Sequence, residues 1–409
     1  MFRRAVILLA LMLHCVALGA QQDTLRKVFS VQGIVVADDS GRAMESVMVT
    51  IPESDIATAT NAEGRFVIKS ASEIHNLRFS FMGYAPATVQ IQPGRPVKVR
   101  LVPVSYAIDA STIISGDALE IIRAAIEKIP ENYGKAPQLL ECFYRETVRK
   151  RNRYTYISEA VARMYKDSYG RGIHGDRTAL EKSRVLISPR LSDTLAVKVQ
   201  GGPAQAMALD VVKNSDFLFN SLELELYRFE MGLPEFIDGR MQFVIHLSPG
   251  QAILDRALYY GTLYIDREKL FFTRIELSLD VSDVGKAVRQ VVIRKPPTLR
   301  LVPKEVMFRV NYSYDGALAR MSYFRSVIKF SCDWKKRLFA TNYTAVNELV
   351  VTDVRHPATP IPRSEVFRAS DILSDKAAKF QDPDFWLDYN IIEPTESLEH
   401  AVGHLRKGR

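Results

Sequence analysis

Several groupings in this sequence have the residue types of a reactive site. Gly170-Arg171-Gly172-Ile173-His174-Gly175 has the glycine spacing of a dinucleotide-binding turn, with Asp193 downstream. Such a turn holds a pyrophosphate only where it opens an apolar-faced helix and a parallel strand returns beside it. Residues 176–184 are short and dense in charge, so the spacing is coincidental and 170–175 is expected to be a loop. Ser326 and Lys329 have the spacing of a serine–lysine nucleophile pair, which needs both side chains on one helical face. The alternation around them indicates a strand instead, and three residues apart on a strand they point oppositely. His400 and His404 share a helix face, but no Glu follows the first, so they are read as surface histidines rather than zinc ligands. The carboxylates are scattered, and none pairs by spacing for acid–base work. The sequence therefore gives no catalytic, cofactor-binding or metal-ligating residue; an enzyme is not expected, no cofactor is implied, and the ligand-binding residues are unknown.

Two further features bear on binding. Arg149-Lys150-Arg151-Asn152-Arg153 concentrates positive charge at the tip of an expected hairpin, read as solvated, with anion binding as the alternative. Cys142 and Cys332 either pair in an oxidising compartment or sit as buried thiols on separate strands.

The compartment is indicated by the first residues. Arg3-Arg4, an apolar run from Ala5 to Leu13, and Ala17-Leu18-Gly19-Ala20 follow the charged, apolar and small-residue order of an export signal, assigned to residues 1–20. An uncleaved anchor is the alternative, although the run is too short to span a bilayer. Leu13-His14 before Cys15 lacks the small residues of a lipidation site. No later stretch is long and apolar enough for a membrane helix. The net charge of +8 includes Arg3 and Arg4; so modest an excess in an exported chain excludes nucleic acid as the expected partner and leaves weak attraction to anionic lipid or glycan.

Short alternating runs fill residues 28–103, with strands expected at 29–37, 46–51, 65–70, 76–81, 88–91 and 97–102. Asp38-Asp39-Ser40-Gly41, Asn61-Ala62-Glu63-Gly64 and Pro93-Gly94 supply the turns. Gly33-Ile34-Val35-Val36-Ala37-Asp38, Val47-Met48-Val49, Thr60-Asn61-Ala62-Glu63-Gly64-Arg65-Phe66-Val67-Ile68 and Leu77-Arg78-Phe79-Ser80-Phe81-Met82-Gly83-Tyr84 together resemble the carboxypeptidase-regulatory-like domain. Ala43-Met44, Ser46 and Asn61 depart from its usual residues. The resemblance implies a transthyretin-like β-sandwich, common in exported Bacteroidetes proteins, that acts as an interaction or spacer module.

Residues 104–140 form a helical connector. Asp117 and Glu120 have capping-box spacing, Leu119, Ile122, Ile126 and Ile129 fall on one face, and Pro130 is expected to end this core-facing helix. Residues 141–409 read as a larger, mainly antiparallel β domain, half-barrel in its extreme form, with few helices. A hairpin is expected at 143–150 and 153–166, a helix at 203–213, and strands at 241–247, 257–266, 271–279, 287–293, 304–314, 317–329 and 338–351, joined as a meander by turns such as Tyr314-Asp315-Gly316-Ala317. Tyr260-Gly261-Thr262-Leu263-Tyr264-Ile265-Asp266 with Phe272-Thr273-Arg274-Ile275-Glu276 resembles the lipoprotein-carrier superfamily, which implies a sheet wrapped on a helix and able to hold acyl chains. Tyr259, Tyr260, Tyr264, Phe271 and Phe272 are expected in the core. Asp382-Pro383-Asp384-Phe385-Trp386 through Thr395 resembles the closing segment of exported Bacteroidetes proteins with the same N-terminal module; Trp386 and Ile391-Ile392 are expected to pin it to the body and Thr395 to cap a last helix. The whole is expected to be a periplasmic or outer-membrane-associated, non-enzymatic protein that binds an envelope protein or another ligand, against the alternatives of an apolar-ligand carrier and of a hydrolase whose site forms only in the fold.

Overall fold

A computed structural model describes residues 28–92, 94–104, 117–190, 198–199, 201–250, 254–334, 340–376, 378–379, 386 and 389–407. The export segment with Cys15, Pro93, residues 105–116 of the connector, Asp193 and residues 382–385 of the tail lie outside them.

The first seven strands are β1 (Phe29–Ala37), β2 (Met48–Thr50), β3 (Ala57–Ala59), β4 (Arg65–Ser70), β5 (Asn76–Ser80), β6 (Ala87–Gln90) and β7 (Val97–Leu101). They form two facing sheets, β4-β1-β7 and β3-β2-β5-β6. Alternate residues of both meet in one core that includes Val35, Val49, Phe66, Ile68, Leu77 and Phe79, where Phe66 and Phe79 meet edge to face at 5.4 Å. The turn at Asn61 works as its residue types demand: its side-chain oxygen accepts from the amides of Glu63 and Arg65, each at 2.9 Å. Gly33 allows a close approach, because a Cβ there would meet the carbonyl of Val97 at 2.1 Å.

The second body is a twelve-stranded sheet. It contains β8 (Gln138–Lys150), β9 (Arg153–Lys166), β10 (Arg177–Ile187), β12 (Tyr227–Met231), β13 (Glu235–Ile237), β14 (Arg240–Pro249), β15 (Tyr259–Asp266), β16 (Phe272–Leu279), β18 (Leu299–Tyr314), β19 (Ala319–Trp334), β20 (Thr341–Arg355) and β21 (Ala378–Lys379). The order is β12-β14-β15-β16-β18-β19-β20-β8-β9-β10-β21, with β13 also on β14. A meander thus accounts for β14 to β20, and the hairpin from β8 onward joins its far edge; only β10 and β21 are parallel. The sheet stays open. A separate two-stranded pair joins β11 (Lys198–Val199) to β17 (Val292–Arg294).

Each face of this sheet has its own cover. The inner face, carrying Leu140, Tyr144, Ile245, Ile275 and Phe308, packs on Ile122 and Ala125 of the helix Ala118–Glu127 and on Ala206, Met207 and Phe219 of the segment that follows Pro203. That segment is held by a buried ionic knot. Lys166 at the end of β9 pairs with Asp210, both fully buried; the hydroxyls of Tyr312 and Tyr169 donate to Asp210 at 2.7 and 3.0 Å. Lys213 pairs with Asp176 at 2.6 Å. The outer face carries Phe143, Val161, Tyr323 and Val350, which meet Met48 and Ala59 of the sandwich and Trp386 and Ile392 of the tail. The tail lies along the sandwich. Asn390 exchanges two hydrogen bonds with the backbone of Lys69, at 2.7 and 3.0 Å, and Thr58 donates to the carbonyl of Ile391 at 2.9 Å.

Some expectations need correction. Of residues 287–293 only 292 and 293 are in a strand, at the start of β17: Val284–Val291 is a helix whose start is capped by Asp283, with Ala287 and Val291 buried one turn apart. Short β-branched runs read alike in both periods, and the cap decides. The helix from Pro203 ends at Ala208, where Asp210 turns inward to Lys166. Pro130 does not end the first helix; it stops at Glu127, and Pro130 sits in a short helix, Ile129–Asn132, where its missing amide costs nothing. Asp117 caps the amide of Leu119 at 2.8 Å, one residue earlier than a capping box requires. Residues 177–184 belong to β10. Cys142 and Cys332 are free and buried. They face Val351 and Thr341 of β20, a separation of about 30 Å along that strand, far beyond disulfide reach.

Two expected outcomes follow. Trp386→Ala should cost about 3–5 kcal/mol in urea unfolding and raise amide exchange in β3 and β4; a cost near zero would show that the tail does not bind the sandwich to the sheet. Asp210→Asn should cost about 3–5 kcal/mol by leaving Lys166 buried and unpaired. Burial raises the Asp210 pKa, but Lys166 and the tyrosine hydroxyls outweigh it and hold the carboxyl below its ordinary value. Its contribution is therefore present above about pH 4 and lost as pH falls through the depressed native value. An acid-unfolding curve for Asp210→Asn with the wild-type slope below pH 4 would refute this.

Candidate functional site

Among the described residues, one space open to a ligand lies on each face of the sheet. The inner one is a crevice between the sheet and the segment that begins at Gly201. The Tyr144 hydroxyl accepts from the Gly202 amide at 2.7 Å and lies 3.1 Å from both Glu146 and Asn347. Asn347 donates to the Ser326 hydroxyl at 2.8 Å. The cover comes this close because Gly202 has φ of 91° and because a Cβ on Gly201 would approach Glu146 to 3.0 Å. Phe308, Phe324, Ile328 and Leu209 complete the walls, and the enclosed volume is about 50 Å³. That admits a water or two, against the roughly 300 Å³ at which ligand pockets begin.

The outer space is a groove of about 840 Å³ between the sandwich and the sheet. Its roof is the loop from Ala37 to Ser46 together with Phe81 and Tyr84; its floor is Met307, Arg309, Arg325 and Val327 of β18 and β19. One side is closed by Glu45, which pairs with Arg325 at 2.5 Å, and by Ser46, whose hydroxyl lies 3.0 Å from that of Tyr323. A second pin joins Arg78 to Asp238 at 2.7 Å and the Gly83 amide to the Phe236 carbonyl at 2.9 Å. The groove lies between two fixed attachments.

The arginines of the floor belong to a longer pattern. Pairing across the outer face aligns Glu230, His246, Thr262, Glu276, Arg309, Arg325, Glu348, Arg145, Glu159 and Arg184, one from each successive strand. Most of this rung is satisfied by neighbours. Arg145 and Arg184 grip Glu159 at 2.6 and 2.5 Å. Burial raises the Glu159 carboxyl, but the two arginines outweigh it and hold it below its ordinary range. Arg325 also reaches Glu348 at 3.0 Å, and its own pKa is raised, the acidic neighbours overcoming burial.

Arg309 differs. Its opposite neighbour Glu276 is engaged by Arg274 at 2.8 Å, and its other neighbour is Arg325. The Arg309 Nε is buried with no hydrogen-bond partner among the described residues. The guanidinium lies over the Tyr323 ring, 5.3 Å from its centre. Burial, and then Arg274, push its pKa below the ordinary arginine value.

The tempting motifs do not assemble. Gly170–Gly175 forms a short helical turn and loop ahead of β10, with Tyr169 buried on Asp210. Ser326 faces the crevice, while Lys329 faces outward to Glu305 at 2.8 Å. His400 and His404 are exposed on the last helix, Glu396–Lys407. No group of three or more His, Cys, Asp or Glu among the described residues is arranged to hold a metal. At the basic hairpin tip Arg149 lies over Tyr154 at 5.6 Å and Arg151 turns with φ of 55°. Tyr264, Phe271 and Phe272 are buried, Tyr259 packs against the core and Tyr260 is half exposed. The groove residues themselves were not singled out by sequence. In Val306-Met307-Phe308-Arg309-Val310 a single charge in an alternating strand reads as a solvated face, and only the sandwich above it makes it a site.

Residues 31–110 match the family model of the CarboxypepD_reg-like domain. No curated protein matches the chain. Among solved structures, the chain is similar to a putative outer membrane lipoprotein-sorting protein domain from Vibrio parahaemolyticus, with 12% identity and a TM-score of 0.30, over 61% of this chain and 96% of that one. It is also similar to a DUF1329 family protein from Desulfovibrio piger, with 7% identity and a TM-score of 0.27, over 62% and 100%. A third is a LolA superfamily protein from Nitrosomonas europaea, with 10% identity and a TM-score of 0.22, over 62% and 99%. By its family match, the N-terminal sandwich is a CarboxypepD_reg-like domain carried in front of a large open sheet.

Proposed function

We propose that this chain is a non-enzymatic, exported protein of the cell envelope that binds a small ligand in the groove between its sandwich and its sheet. The observation that carries this reading is the size difference between its two spaces: about 840 Å³ outside against about 50 Å³ inside. The groove lies in the range of ligand sites, and interfaces between domains are where such sites concentrate. The sandwich thereby has a definite task, supplying the roof. Export rests on the order of residues 1–20, and no described helix is long and apolar enough to cross a membrane.

The carrier alternative needs an acyl-sized space inside the sheet. The ionic knot at Lys166 and Asp210 and the contacts at Gly201 and Gly202 hold the cover against that face. For hydrolysis, the inner crevice offers Ser326 bonded to Asn347 and no histidine in its walls.

Val327 lines the groove floor and is half-buried, so Val327→Trp should fill the groove while leaving the sheet folded. Native mass spectrometry of protein purified from its own envelope is expected to show a retained small molecule that this variant lacks. A small molecule retained equally by the variant, or none in the wild-type protein, would overturn the reading.

A further inference from the structure

We infer that the groove takes an amphipathic monoanion, a carboxylate on an apolar body, with Arg309 as its anchor. The inference rests on the groove being the ligand site and adds the ligand's chemistry.

Three observations converge on Arg309. A guanidinium offers five N–H donors and cannot shed its charge in a protein, so withdrawing it from water without an acceptor is costly. Every other arginine of the rung is matched to a carboxylate, namely Arg325 to Glu45 and Glu348, and Arg145 and Arg184 to Glu159. Arg309 instead has a buried, unpartnered Nε and a like charge opposite it on β19, an arrangement that destabilises a sheet. The Tyr323 ring lies under the guanidinium, 5.3 Å from its central carbon, and holds the N–H fork in place. Such a fork matches the two oxygens of a carboxylate.

The surroundings select charge and shape. Asp39 and Glu45 line the same groove, and Glu45 already meets Arg325. With Arg42, Arg309 and Arg325 against Asp39 and Glu45, the lining carries one net positive charge, which favours a single negative charge over a dianion. Met44, Phe81, Tyr84, Met307 and Val327 give the same lining a large apolar part. Phe81 and Tyr84 meet edge to face at 5.7 Å, and the two methionines can adjust to varied chains. Arg42, exposed, lines the same groove and adds to its attraction for anions.

Isothermal titration of the full chain with decanoate, decanol and acetate tests this. Decanoate is expected to bind about ten- to a hundredfold more tightly than decanol, the worth of a charge-assisted hydrogen bond, and acetate not measurably. Arg309→Met should bring decanoate down to the level of decanol without lowering the melting temperature, because a half-buried cation with an unpartnered Nε is replaced by an apolar chain of similar size. Arg309→Lys, which keeps charge but not the fork, should fall between. Equal binding of decanoate and decanol, both lost in Val327→Trp, would overturn the anchor while leaving the groove as the site. Decanoate binding that survives Arg309→Met unchanged would do the same. No binding of either probe to the wild-type protein would overturn the groove reading together with the inference.

Discussion

An open sheet of twelve strands has two faces that carry apolar side chains, and water must be kept from both. That constraint organises the rest of the chain. On the inner face the helix Ala118–Glu127 and the turns after Pro203 supply the cover. They are fastened by buried charges whose mutual attraction offsets the cost of withdrawing them from water only because each is also hydrogen-bonded. On the outer face the cover is the sandwich, and the fastening is mostly apolar, with Trp386 and Ile392 between the two bodies. The groove exists because this second cover is incomplete: it touches the sheet at the tail, through Met48 and Ala59, and through the pairs Asp55–Arg320, Glu45–Arg325 and Arg78–Asp238, and stands away from it at the groove.

Much of the architecture was legible from local chemistry. Strands β1 and β4 fall where alternation and the flanking turns place them, since Gly41, Asn61 and Gly64 each do at the backbone what their residue types allow. The hairpin of β8 and β9 turns at Arg151 and Asn152 as expected. Where the reading failed, two periods competed. Ala287–Ile293 is apolar enough for a strand, and only the Asp283 cap, with Val292 beginning the short strand that follows, reveals the helix. β3 escaped notice because three residues are too few to show a period.

The site was not legible, for a different reason. Arg309 and Glu45 are unremarkable in their own segments. Their meaning comes from register across ten strands and from contacts between residues far apart in sequence, such as Glu45 with Arg325. Pairwise spacing cannot express that. The rung from Glu230 to Arg184 is composed of ordinary polar positions, one per strand, and becomes a continuous line only when the sheet is assembled. The isolated position in that line is visible only once every other member has been matched.

The tail has a consequence for the order of events during biogenesis. Residues 389–396 lie along the first-made sandwich and reach the sheet at Ile392, yet they are made after both the sandwich and the strands of the sheet. The sandwich is complete by Leu101 and can form its core early, but its seat on the sheet is unfinished until the C-terminal stretch arrives. A polypeptide that stops short of residue 389 therefore leaves the sandwich without this part of its seat on the sheet.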